Sequence, residues 1–175
     1  IDCECVQIGM QDVRGCIACG SCAKKGKCVF DDGVNEFVEK AKQVDGFIFG
    51  SPVYYANASG QISAFLDRTF YGNSAIFEGK PGAAVVSCRR AGSTASLDQL
   101  NKYFTISGMP VVSSRYWNMV HGNTPDEVRQ DKEGLQIMRT LGNNMAWLLK
   151  CIELGRENGV SFPEKEPAQK TNFIR

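Results

Sequence analysis

Histidine is almost missing from this sequence: among 175 residues His121 is the only one. A lone histidine is more often structural than catalytic, and its place beside Trp117 and Asn118 makes it at most a residue lining a site. Charge of one sign is also lacking. Lys and Arg number 20 against 19 Asp and Glu, a net charge of +1, which gives no general pull toward nucleic acid or an anionic membrane. Long hydrophobic runs are absent too. Stretches such as Gly82–Ser87 fall far short of the roughly 20 apolar residues of a membrane span. No charged-then-apolar segment opens the chain, and no internal repeat or long linker divides it. A composition 43% hydrophobic and 22% charged excludes a disordered chain. The expectation is one domain over residues 1–175.

Cysteine, by contrast, is plentiful. Of eight cysteines, Cys16, Cys19, Cys22 and Cys28 fall within thirteen residues in a C-x2-C-x2-C-x5-C pattern. Cys3, Cys5, Cys88 and Cys151 are scattered through segments that read as strand or helix, and Cys88 fits a small buried residue. Disulfide scaffolds are usually small, secreted and short of core. A reduced, cytoplasmic setting with a metal or redox cluster is the better expectation here. Closely spaced thiolates on a loop, with a fourth nearby, are what a cubane requires. Structural zinc more often takes two C-x2-C pairs separated by a longer insert. Spacing alone leaves open a [4Fe–4S] cluster, zinc, and free or regulatory thiols. Lys24, Lys25 and Lys27 lie inside the loop and would offset the negative charge of a cluster.

Hydrophobic patterning organises the rest. Ile1–Ile8 reads as a short strand, and residues 14–33 as a Cys-, Gly- and Lys-rich loop. Asp32 is placed to cap a helix over about 34–43, where Val34, Phe37, Val38 and Ala41 share one stripe. Phe47-Ile48-Phe49 and Ala83-Ala84-Val85-Val86 are apolar on both faces, as buried parallel strands are. Between them Ser59 can cap a helix carrying Ile62, Phe65, Leu66 and Phe70. Leu97, Leu100 and Phe104 mark another helix closed by Gly108, and Val111-Val112 is the expected last strand. Thr124, Pro125 and Glu127 open a long C-terminal helix over 124–158, with Gly134 a candidate kink and 159–175 a surface tail. This alternation predicts a doubly wound α/β protein: a parallel sheet between helices, in three layers.

Three expected strands end in polar loops on one sheet edge, where open α/β sheets bind ligands. These are Gly50–Asn57, Ser87–Ser93 and Ser113–His121. They offer aromatics, backbone N–H groups at helix starts and two adjacent arginines, a set suited to a flat, electron-accepting, partly anionic ligand.

Gly50-Ser51-Pro52-Val53-Tyr54, followed by Phe65-Leu66-Asp67-Arg68, resembles the second flavin loop and helix of the NADPH-dependent FMN reductase family, of flavodoxin-like fold. Ser87–Gly92 is similar to that family's third loop, and the cysteine-rich insert resembles its iron–sulfur flavoprotein branch. The resemblance implies FMN held by Ser51, Pro52, Val53, Tyr54, Tyr55 and Asn57 on one loop and by Ser87, Arg89, Arg90 and Gly92 on the other. It implies a [4Fe–4S] cluster on Cys16, Cys19, Cys22 and Cys28. Electrons would pass from NAD(P)H through FMN to a quinone, free flavin, nitro or azo compound, or protein acceptor. The alternative is an electron carrier between protein partners, without small-molecule turnover. Hydride transfer needs no protein acid or base, so no catalytic residue is assigned. A homodimer or higher homo-oligomer is the expected assembly.

The family's first strand and phosphate-binding loop have no counterpart here. In strand order 2-1-3-4-5, Ile1–Ile8 would be strand 2, and strand 1, the central one, is missing. The expectation is that the native protein carries roughly 30 further residues upstream, one βα unit.

Overall fold

The computed structural model describes residues 1–173. Its elements are α1 (Ser21–Lys25), α2 (Val34–Ala41), β1 (Phe47–Tyr54), β2 (Asn57–Ala58), α3 (Gly60–Asn73), a 3-10 turn (Ser74–Ile76), β3 (Gly82–Cys88), α4 (Ser93–Ile106), β4 (Met119–His121), α5 (Pro125–Gln130) and α6 (Lys132–Glu157). The sheet order is β2-β1-β3-β4. β1, β3 and β4 are parallel, and the short β2 folds back antiparallel on the end of β1.

Side-chain alternation decides which way each strand faces. Phe47, Phe49 and Ser51 of β1 are buried, while Ile48, Gly50 and Pro52 are exposed. On the buried side, Phe47, Phe49, Ala84, Val86 and Met119 meet α2, α3 and α4 through Val34, Phe65, Leu66, Phe70, Leu97, Leu100 and Phe104. Phenylalanine dominates that layer: Phe70 and Phe77 stack at 4.4 Å, and Phe49 and Phe104 at 5.7 Å. Such pairs add about 0.5–1.5 kcal/mol each beyond their burial. On the other side, Ala83, Val85 and Val112 pack on Leu141, Met145, Leu148 and Leu149 of α6. Helices therefore cover both faces, giving a flavodoxin-like three-layer architecture.

The opening strand is not formed: Ile1–Ile8 has no regular secondary structure. Its expected neighbour was the central strand, and among the described residues no strand lies beside Phe47–Pro52 on the outer edge of β1. Lacking a ladder to join, the segment lies across the helices. Glu4 pairs with Lys40 at 2.6 Å, and Gln61 donates to the Gly9 carbonyl at 3.0 Å. The helical layer over β1 is thin on the α6 side, where Ile48 is 48% exposed.

The last strand is also placed differently. Pro110–Val112 touches the sheet only at Gly82, through Gly82 N–H to Pro110 O (2.9 Å) and Val112 N–H to Gly82 O (2.8 Å). The chain then bulges outward and returns at Asn118, so that Met119–His121 forms β4 against Val86–Cys88. The bulge is polar and fastened from outside, with Asn144 donating to Ser113 O (2.8 Å) and Arg115 to Gln136 (2.6 Å). His121 thus stands in a strand rather than in a loop.

The long C-terminal helix is divided at Asp131, between α5 and α6. One Asp131 oxygen accepts from Gly134 N–H (2.9 Å) and caps α6; the other accepts from His121 N–H (2.7 Å). Gly134 is therefore no kink. A Cβ there would overlap the Asp131 carboxylate. The bond from Gly134 is the main reason that the Asp131 carboxyl lies below its ordinary range; the His121 amide adds to it, against desolvation.

Asp131→Ala is expected to cost about 1–2 kcal/mol at neutral pH, measured by urea unfolding. A carboxyl whose folded pKa is depressed stabilises above its unfolded value, about 3.9, and loses that contribution as pH falls through the folded one. The gap between wild type and variant should be full above roughly pH 5 and close in acid.

Candidate functional site

Strand register brings the expected ligand loops together. Pro52, Ser87 and Val120 are neighbours across β1, β3 and β4, so the chains leaving these strands emerge on one edge. After β1, Tyr55 and Ala56 form the hairpin turn with φ of 50° and 59°. Left-handed backbone costs a non-glycine residue about 1–2 kcal/mol, and this edge carries two in succession. Tyr54 is 60% exposed and Tyr55 fully so.

Ser51 anchors this loop from below. Its buried hydroxyl donates to Pro52 O (2.7 Å) and accepts from Ser59 N–H (2.9 Å). Ser59 in turn accepts from Ile62 N–H at 3.3 Å, the expected cap of α3. Ala58 N–H donates to Gln99 of α4 at 3.2 Å, which fixes β2 and its Asn57 against the next helix.

After β3, Arg89, Arg90 and Ala91 are exposed and Gly92 begins α4 with φ of 92°. A Cβ on Gly92 would stand 2.5 Å from Ala56 Cα and 3.1 Å from Val53 Cγ1. The two loops are thus in van der Waals contact at a point that admits only glycine. α4 has no side-chain cap at its N-terminus, whereas α3, α5 and α6 are capped by Ser59, Thr124 and Asp131. Its first N–H groups remain available to a ligand. Among the described residues, Arg89 and Arg90 form no ion pair. On the β4 side, Gly122 N–H donates to Cys88 O at 3.1 Å, Trp117 is 56% exposed, and the buried Asn118 Oδ1 has no partner. Cys88 itself is buried, as its sequence setting suggested.

A second site lies at the cysteine loop. Cys16, Cys19, Cys22 and Cys28 all border one small, partly open cavity of about 20 Å³, together with Phe30, Arg68 and Tyr71. Among the described residues, no three His, Cys, Asp or Glu side chains converge closely enough to hold a single metal ion. The loop winds through left-handed turns at Ala18, Gly20 and Gly26. Asn35 of α2 clamps Cys28, accepting from its N–H (2.8 Å) and donating to its carbonyl (3.1 Å). Gly72 of α3 leaves room for Cys22, whose Cβ would be 2.7 Å from a side chain there.

Arg68 holds this arrangement, and its role was missed in the sequence. Its side chain is 1% exposed. Nε donates to Cys28 Sγ (3.2 Å), Nη1 to Arg14 O (3.0 Å) and to Asp32 Oδ2, and Nη2 to Asp32 Oδ1 (2.7 Å). The Phe30 ring covers the guanidinium at 5.0 Å. Asp32 serves Arg68 first; the N-cap position of α2 is Gly33, and only a minor interaction with the Val34 N–H remains of the expected cap. The hydrogen bond from Arg68, more than any other cause, lowers the Asp32 pKa and raises that of Arg68. The available signal was an arginine between Phe65, Leu66, Thr69 and Phe70, on a face that is otherwise buried.

A doubly wound sheet with contacting, polar loops at its carboxyl edge defines a flavodoxin-like ligand-binding protein. The chain belongs to the NADPH-dependent FMN reductase family, whose model matches residues 2–124, and is thereby a flavin oxidoreductase by descent. It is similar to an iron–sulfur flavoprotein of Methanocaldococcus jannaschii, 31% identical over 161 residues covering 87% of this chain and 83% of that one. An iron–sulfur flavoprotein of Methanosarcina thermophila is 30% identical over 158 residues, covering 88% and 82%. Among solved structures, RosB with bound 8-demethyl-8-formylriboflavin-5'-phosphate matches with a TM-score of 0.54 at 14% identity, covering 84% of this chain and 71% of that one.

Gly92→Ala is expected to destabilise by about 1–2 kcal/mol from its backbone angle alone, and by more once the overlap with Ala56 is included. Gly60→Ala, in the open first turn of α3, should be neutral or slightly stabilising. Urea unfolding of both variants checks the contrast.

Proposed function

We propose that the protein is an FMN-dependent NAD(P)H oxidoreductase of the cytoplasm that also holds a [4Fe–4S] cluster. The contact between Gly92 and Ala56 carries the flavin part, because it joins the two loops that would grip one ligand. FMN, when bound, supplies hydride acceptance and electron release. The chain supplies the grip. Ser51, Pro52, Val53, Tyr54, Tyr55 and Asn57 would present backbone donors and aromatic edges on one side of the ring. Ser87, Arg89, Arg90 and Gly92 would bring the uncapped start of α4 and two unpaired positive charges to the other. Donors fixed in advance stabilise negative charge developing on the ring without reorganising. No side chain is needed as acid or base. RosB, on a similar fold, binds a flavin phosphate ester, which supports a flavin as the ligand.

For the cluster, structural zinc more often takes two C-x2-C pairs separated by a longer insert, whereas four closely spaced thiols on one loop suit a cubane, which takes one thiolate on each iron. Cys16, Cys19, Cys22 and Cys28 would be those ligands. The two relatives' name, iron–sulfur flavoprotein, supports an iron–sulfur centre in this chain.

A second reading is an electron carrier serving protein partners. The exposure of Ile17, Val29 and Tyr71 around the cysteine cavity favours it, since a partner could reach the cluster directly.

Anaerobically purified protein should show flavin bands at about 375 and 450 nm with a broad shoulder, and about four irons per chain. Zinc in place of iron, or neither metal, would remove the cluster from the proposal, and the absence of flavin would remove FMN. Oxidation of NADH or NADPH by the holoprotein separates the two readings: turnover with a quinone or nitro compound supports the oxidoreductase, and its absence supports the carrier. Cys19→Ala should abolish bound iron while keeping flavin, checked by metal analysis and absorbance of the same sample.

A further inference from the structure

We propose that Arg68 sets the reduction potential of the cysteine-bound cluster, acting through Cys28. The inference rests on the cluster reading above and adds a role for a residue outside the ligand set. A cluster's potential depends on its net charge, its exposure and the hydrogen bonds to its sulfurs. Arg68 acts on two of these at once. Its Nε–H donates to Cys28 Sγ at 3.2 Å, drawing electron density from that thiolate. Its positive charge is held within hydrogen-bond reach of the sulfur by a side chain that is 1% exposed.

One electron added to the oxidised cluster makes it one unit more negative, with no bond made or broken and no proton moved. A buried cation beside a ligand sulfur favours that reduced form. Lys24, Lys25 and Lys27 are near in sequence but exposed, so salt screens them. Arg68 is shielded from that screening. Asp32 works against it, because the carboxylate takes two of the guanidinium's hydrogen bonds and cancels part of its field.

The geometry therefore predicts shifts of opposite sign. In a redox titration of the holoprotein, with dithionite as electron donor and the reduced cluster followed by paramagnetic resonance, Arg68→Met should move the midpoint to a more negative value. Arg68→Lys, which keeps a charge but loses the Nε–H bond, should fall between variant and wild type. Asp32→Asn should move the midpoint to a more positive value. A merely structural role would loosen the loop in both the Arg68 and Asp32 variants and shift both in one direction. Equal midpoints, or shifts of the same sign, overturn the inference while leaving the cluster reading intact. If Arg68→Met does not fold, Asp32→Asn decides alone: a positive shift supports the inference and no shift overturns it. Wild-type protein without iron overturns the cluster reading and the inference together.

Discussion

The cysteine loop depends on one buried guanidinium. Between residues 14 and 33 no residue is buried, so the loop has no core of its own to fix its shape. A charge as buried as Arg68 costs several kcal/mol unless it is paired and hydrogen-bonded. The chain meets that cost with groups drawn from the loop itself: the Arg14 carbonyl, the Cys28 sulfur and the Asp32 carboxylate. Three points of an otherwise uncored segment are thereby tied to one side chain of α3. Geometry that hydrophobic burial gives most binding loops is supplied here by electrostatics, with the Phe30 ring excluding water from one face.

At the carboxyl edge the controlling constraint is steric. Tyr55, Ala56 and Gly92 all adopt left-handed backbone, and Ala56 and Gly92 touch. Strain of this kind persists only where its surroundings over-determine it. Those surroundings can be named. Ser51 locks β1 to the start of α3. Gln99 reaches from α4 to Ala58 and to Ser63, so one amide joins β2, α3 and α4. The Asp67 and Arg68 pair divides its work similarly, Asp67 accepting from Tyr103 of α4 while Arg68 faces the cysteine loop. A ligand entering this edge would meet donors already positioned by the fold.

The sequence was most legible where local chemistry and tertiary packing agree. The helices near 34–43 and after Ser59 announced themselves through apolar stripes, and Ser59 caps as expected. The strands at Phe47 and Ala83 read as apolar on both faces; Ala83 stands in the central β3, while β1 buries Phe47 and Phe49 and leaves Ile48 half exposed. Legibility failed where the outcome depends on distant partners. Ile1–Ile8 has strand-like residues but no adjacent strand. Val111-Val112 is a sound strand sequence that meets β3 at a single residue before the bulge, and its place is taken by Met119–His121. Asp131 divides a helix whose apolar face runs on, because its carboxylate is claimed by backbone on both sides. The cysteine pattern gave the ligand candidates but not Arg68, whose partners lie 36 to 54 positions away along the chain.

Both chemistry-bearing loops are referred to the same helix. Ser59 at the start of α3 fixes the β1 loop, and Arg68 in its third turn fixes the cysteine loop. The rise between these residues is about 14 Å. Ile62, Phe65, Leu66 and Phe70 bury the helix along that whole interval, so it is seated in the phenylalanine layer and cannot slide independently. Electron passage between two centres weakens steeply with their separation. Under the proposed function that separation would be set by a packed helix and not by the twenty-residue loop, whose own backbone would allow a wide range. The loop's exposure is then tolerable, because its position relative to the sheet edge is carried by α3.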